Sequence, residues 1–81
     1  MKIEVLFFAS IRDLAGRDQE TVEVAEGASV EDLVQTLTLR YPALTPALGS
    51  LRFAVNEDFV DTSQTLSAGD QLAFLPPVSG G

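Results

Sequence analysis

Hydrophobic and polar positions alternate at both ends of this chain and follow a helical period between them. Over residues 2–8, Ile3, Val5 and Phe7 point one way, and Lys2, Glu4, Leu6 and Phe8 the other. That is the two-residue repeat of a β-strand. Residues 10–16 read as a short helical turn or loop closed by Gly16. Residues 20–24 alternate again, with Val22 and Val24 on one face, and Glu26-Gly27 turns the chain. Ser29 is placed to cap a helix, with Glu31 and Asp32 in a first turn where the helix dipole favours negative charge. Val30, Leu33, Val34, Leu37 and Tyr41 form its apolar stripe, and Pro42 stops it.

Beyond a looser stretch at 43–50, residues 51–55 read as a strand, Asn56-Glu57-Asp58 as a turn and Phe59-Val60 as a short returning strand. Ser67-Ala68-Gly69-Asp70 turns the chain into a last strand at 71–75. Strand, strand, helix, strand, short strand, strand predicts an α+β fold with one helix across a small mixed sheet, and the β-grasp arrangement buries these faces economically. In that fold type the first and last strands run parallel, side by side, at the centre. The expected division is a β-grasp domain at 1–75 and a flexible C-terminal Gly-Gly tail at 76–81.

Parity leaves some apolar residues off the core face. Phe8 falls with Lys2 and Glu4, and Leu75 with Gln71 and Ala73. Both close strands expected to be neighbours, so they should meet at the root of the tail, with Phe59 beside a polar turn as a third member. A contiguous patch there would be a docking surface; the alternative places Phe8 under a loop.

Composition narrows the chemistry. The chain has no cysteine and no histidine, which excludes thiol nucleophiles, Ser-His-Asp triads, iron–sulfur clusters and histidine-ligated metals. Glu31-Asp32 and Glu57-Asp58 are better explained by a cap and a turn than by acid–base work, because adjacent helix residues do not face each other. The formal net charge is −7, which disfavours nucleic acid and anionic membrane and fits either a basic protein partner or a merely soluble acidic surface. No signal peptide or membrane span is expected, and the missing cysteines fit a cytoplasmic protein.

The end of the chain is its most distinctive stretch: Pro76-Pro77-Val78-Ser79-Gly80-Gly81. Fully extended, six residues reach roughly 20 Å. Pro76-Pro77 would stiffen the first part, and two final glycines carry no side chain that would hinder passage through a narrow channel. The alternative is a frayed terminus.

Leu6-Phe7-Phe8-Ala9 with Ile11-Arg12, then Ala54-Val55-Asn56, and above all Gly69-Asp70-x-x-Ala73-Phe74-x-Pro76-Pro77-Val78-Ser79-Gly80-Gly81 resemble the small subunits of molybdopterin synthase. The resemblance covers the whole chain. It implies a ubiquitin-like sulfur carrier, itself non-catalytic, that binds no cofactor. An adenylating enzyme uses ATP to activate the Gly81 carboxylate, and a sulfurtransferase supplies sulfur to form a thiocarboxylate. The large subunit then receives the tail, and cyclic pyranopterin monophosphate takes up two sulfurs in a heterotetramer. By position, Gly81 would bear the sulfur and Gly80 let the tail pass. Phe8, Phe59 and Leu75 would contact partners, together with Pro76, Pro77, Val78 and Ser79. The family often carries an aromatic where this chain has Leu75. Two further readings stay open: a carrier for thiamine, cysteine or tRNA thiolation, and a protein modifier joined to lysines through Gly81.

Overall fold

The first alternating run forms β1 (Lys2–Phe7). In the computed structural model, which describes residues 1–77, Ile3, Val5 and Phe7 of this strand are buried. Phe8 does not extend the strand. It keeps extended backbone but serves as N-cap of a helix, α1 (Ala9–Ala15), which Gly16 ends in the left-handed conformation at φ 77°. A side chain there would strain the backbone, which is the physical reason for glycine at this helix end.

β2 (Gln19–Glu23) returns antiparallel to β1. The main helix, α2 (Val30–Arg40), starts in a reciprocal cap. The Ser29 hydroxyl accepts from the Asp32 N–H at 3.2 Å, and the Asp32 carboxylate accepts from the Ser29 N–H at 2.9 Å. Two backbone donors that the helix cannot satisfy itself are thereby paired. Pro42 ends α2 as expected, but residues 43–50 are more ordered than a loose connection. They belong to a 3-10 helix, Pro42–Ser50, whose Leu44 is fully buried. A run of small and apolar residues without a helical stripe gave no sign of this; one buried leucine anchors it.

The remaining strands are β3 (Arg52–Val55), β4 (Asp58–Val60) and β5 (Gln71–Leu75). The sheet order is β2-β1-β5-β3-β4. β1 and β5 are parallel central neighbours, as expected, with Phe7 level with Phe74. Phe74 sits at the middle of the core: its ring meets Phe7 edge-on at 5.6 Å and Phe53 at 5.1 Å. Leu33, Leu37 and Val30 of α2 close the same core. This is the β-grasp fold. No helix of the described residues is long and apolar enough to cross a membrane.

β5 ends at Leu75, and Pro76 and Pro77 follow outside any strand or helix. The expected tail positions Val78, Ser79, Gly80 and Gly81 lie outside the described residues.

Candidate functional site at the root of the tail

The sheet has two faces, and only one is covered by α2. Pairing register decides what lies on the other. Leu6 is opposite Ala73, Ala73 opposite Ala54, and Ala54 opposite Phe59. An apolar row therefore crosses β1, β5, β3 and β4 on the face away from the core. With neighbouring strands about 4.8 Å apart, the row spans about 14 Å. Phe59 is 68% exposed at its far end. Ala54 is buried although it takes no part in the core cluster.

The next row toward the tail holds Leu75, paired with Arg52 across β5 and β3. Phe8 lies beside it: its N–H donates to the Phe74 carbonyl at 3.2 Å, continuing the β1–β5 ladder past the end of β1. Phe8 is 44% exposed and lines a shallow depression with Leu6 and Arg12. It is not tucked under a loop. Leu75 and Pro76 are half-buried, and Pro77 is exposed.

The structure thus brings Phe8 and Leu75 to one place, at the root of the tail, and sets Phe59 apart from them across the sheet. Leu6, Ala54 and Ala73 join the three into one face. Parity alone puts Leu6 and Ala73 on that side; their alignment with Ala54 and Phe59 depends on register, which no local pattern specifies.

Other conspicuous residues have structural work. Asn56 and Asp70, both within the motif blocks, lock the β3–β4 turn to the start of β5. The Asn56 amide donates to Asp70 at 2.9 Å, and its oxygen accepts from the Gln71 N–H at 3.0 Å. The second Asp70 oxygen accepts from the Ser67 N–H at 2.7 Å. Asp32 is part of the α2 cap, and Glu57 occupies the turn. Among the described residues no group of His, Cys, Asp or Glu is arranged to hold a metal. What this arrangement offers is an apolar face beside the end of β5.

The ThiS family matches residues 5–81. The chain belongs to this family. The molybdopterin synthase sulfur carrier subunit of Chlamydomonas reinhardtii is 39% identical, over all of both chains. Among solved structures, SAMP1 of Haloferax volcanii, also described as small archaeal modifier protein 1, superposes with a TM-score of 0.89 at 29% identity, covering all of both chains. A chain of the protein–protein complex of subunits 1 and 2 of molybdopterin-converting factor from Helicobacter pylori gives a TM-score of 0.74 at 27% identity, again over both full chains. The match of this ThiS-family chain to all three spans the β-grasp domain and the tail alike.

Proposed function

We propose that this chain is the sulfur carrier subunit of molybdopterin synthase, docking through the apolar sheet face and delivering sulfur from a thiocarboxylate on Gly81. The observation that carries the reading is the placement of Leu6, Phe8, Leu75 and Phe59 on one uncovered face that runs to the end of β5. A partner covering that face receives residues 76–81 at its own surface. Burying each large side chain contributes about 1.5–3 kcal/mol before the costs of association. The two-subunit Helicobacter pylori complex supports a large-subunit partner.

The chemistry follows from what a carboxylate cannot do alone. Neither oxygen leaves readily, so an adenylating enzyme must join the Gly81 carboxylate to the α-phosphate of ATP, releasing pyrophosphate. The terminal sulfur of a persulfide on a sulfurtransferase then adds to the acyl carbon and AMP departs, and a thiol reductant cleaves the S–S bond of the resulting acyl disulfide. The resulting thiocarboxylate holds sulfur without any cysteine in the carrier. In the large subunit, sulfur bonds to cyclic pyranopterin monophosphate, and water hydrolyses the acyl–sulfur bond to restore the carboxylate. Each carrier brings one sulfur, so two charged carriers are consumed per dithiolene. Val78, Ser79 and Gly80 would enter the partner's channel as part of the tail, and Pro76-Pro77 would stiffen its first part. This chain contributes position and a reactive end; acids, bases and anion-binding groups belong to the partners. Work in the cytoplasm, beside ATP-dependent partners, fits this scheme.

The test is reconstitution. Thiocarboxylated carrier, the large subunit of the same organism and cyclic pyranopterin monophosphate should yield the dithiolene without other protein. Absence of product with a chemically verified thiocarboxylate would exclude the reading. The likeness to small archaeal modifier protein 1 favours a second role, attachment through Gly81 to lysines of other proteins. Isopeptide-linked Gly-Gly remnants in cells expressing the chain would establish it.

A further inference from the structure

We infer that Arg12 and Arg52 bracket the root of the tail as a charged clamp, pairing with carboxylates of the protein that receives the tail. This rests on the docking reading above and adds to it the partner chemistry that would select this carrier.

The inference begins with where the positive charge is. The chain has five basic residues against twelve acidic ones. Arg17 and Arg40 are spent internally, donating to the two oxygens of Glu20 at 2.8 Å and 2.7 Å. Lys2 opens β1, at the opposite end of the sheet from the tail. That leaves Arg12 and Arg52. Both are exposed, and neither forms an ion pair among the described residues.

Their placement is specific. Arg52 is the cross-strand partner of Leu75, on the β3 side of the strand from which the tail departs. Arg12 lines the depression with Leu6 and Phe8, on the β1 side of the same strand. Phe59 is diagonal to Arg52, two positions along from its direct register, within reach of so long a side chain. Asp61 shares the cleft of Arg52, and its Oδ1 accepts from the Ser63 N–H at 2.9 Å and from the Ser63 hydroxyl. Among the described residues it does not reach ion-pair distance of Arg52. Asp13 and Asp18 lie near Arg12 without reaching ion-pair distance.

Two free guanidinium groups thus flank an apolar patch on a molecule of net charge −7. Arginine at the edge of an apolar contact is the arrangement that orients a partner and sets which partner fits. With residues 76–81 extended into a channel, Gly81 would lie roughly 20 Å beyond Leu75, so the two arginines would serve docking and not the chemistry. The groups they meet therefore sit at the mouth of the partner's channel and are acidic. An acidic rim would be repelled by the rest of this surface and attracted only here, so the two arginines fix the approach as well as adding affinity.

The experiment is a binding titration of the full chain with the purified large subunit across a range of salt concentrations. The variants are Arg12→Gln, Arg52→Gln, the double variant and Arg52→Lys, each with a thermal unfolding curve. All should fold like the parent, because both side chains are exposed. At low salt each glutamine variant should bind about three- to tenfold more weakly and the double variant more weakly still, with Arg52→Lys retaining part of the affinity. The differences should shrink as salt is raised, and the salt dependence of the double variant should be flatter than the parent's. Turnover at saturating large subunit should be unchanged. A double variant with the parent's affinity and salt dependence overturns the arginine assignment while leaving the docking reading intact. A parent chain that fails to bind the large subunit at any salt overturns the docking reading itself, and the clamp with it.

Discussion

Ala54 and Phe59 stand directly opposite each other across β3 and β4, on the sheet face that the helix does not cover. The pair explains two observations that look contradictory separately. Ala54 is only 6% exposed although it lies outside the core cluster, and Phe59 is 68% exposed although it is aromatic. Small residues in the middle of the face, with large ones at its ends, leave a shallow surface into which a partner can seat side chains.

Truncating Phe59 should therefore separate binding from stability. Phe59→Ala should change unfolding free energy by less than about 1 kcal/mol, as an exposed position does. It should weaken binding to the large subunit by about 1–3 kcal/mol, the range for an aromatic anchor. Calorimetric binding and denaturant unfolding on one preparation decide this, and a large loss of stability would assign Phe59 to the fold.

Phe8→Glu and Leu75→Glu should have a stronger effect of the same kind. The introduced carboxylate is solvated in the free chain but must be buried unpaired against a partner, at a cost of several kcal/mol. Thermal unfolding should stay close to the parent's while binding is lost. Leu75 is the more demanding case, because it is half-buried and its neighbour Phe74 is fully buried.

A local backbone feature gives an independent stability test. Asn56 and Glu57 form the two-residue β3–β4 connection with φ values of 50° and 74°. Such turns require left-handed backbone at both positions, which asparagine tolerates and glutamate does not favour. Glu57→Gly should stabilise the fold by about 1 kcal/mol, read as a higher unfolding midpoint. Asn56 should resist replacement, because its side chain holds both Asp70 and Gln71.

The core half of the fold was legible in the chain and the functional face only partly so. Strand alternation and the α2 stripe depend on local repeats, and Ile3, Val5, Leu33 and Phe74 are buried as those repeats require. The Ser29 cap is a four-residue signal and is present as read. The register joining Leu6, Ala73, Ala54 and Phe59 is a long-range property, and so is the junction of Glu20 with Arg17, Arg40 and Tyr41. No neighbouring residues announce either. Phe8 was legible as an off-pattern aromatic but not as the N-cap of α1, because that role depends on where the following residues go.

The Glu20 junction predicts a pH dependence. Tyr41 donates its hydroxyl to Glu20 at 2.7 Å. This hydrogen bond, followed by burial and the nearby carboxylate charge, raises the Tyr41 pKa above its usual 10.0. The native state thus keeps a proton that the unfolded chain releases. The stabilisation is complete below the unfolded value and disappears as pH rises through the higher folded value. Unfolding free energies measured from about pH 8 to about pH 12 should fall more steeply for the parent than for Tyr41→Phe. Glu20→Ala should shrink the difference, leaving only the part due to burial, and cost about 1–3 kcal/mol near neutrality.

Docking and chemistry should also separate at the tail. Removing Gly81, or appending residues after it, should leave affinity for the large subunit mostly intact, since the contact area lies on the sheet. Sulfur transfer should be lost. One residue displaces the reactive atom by about 3.3 Å, and a misplacement of 1 Å can cost on the order of a hundredfold in rate. An added residue also turns the carboxylate into an amide that cannot be adenylated.

The most direct test of the sulfur-carrier account is the intact mass of the protein after incubation with its adenylating enzyme, ATP and a sulfurtransferase with its sulfur source. The account predicts a gain equal to one oxygen-to-sulfur exchange, located on Gly81 by fragmentation and absent when ATP is withheld. Sulfur found on any other residue, or a mass that does not change while the adenylating enzyme consumes ATP with this chain, would contradict it.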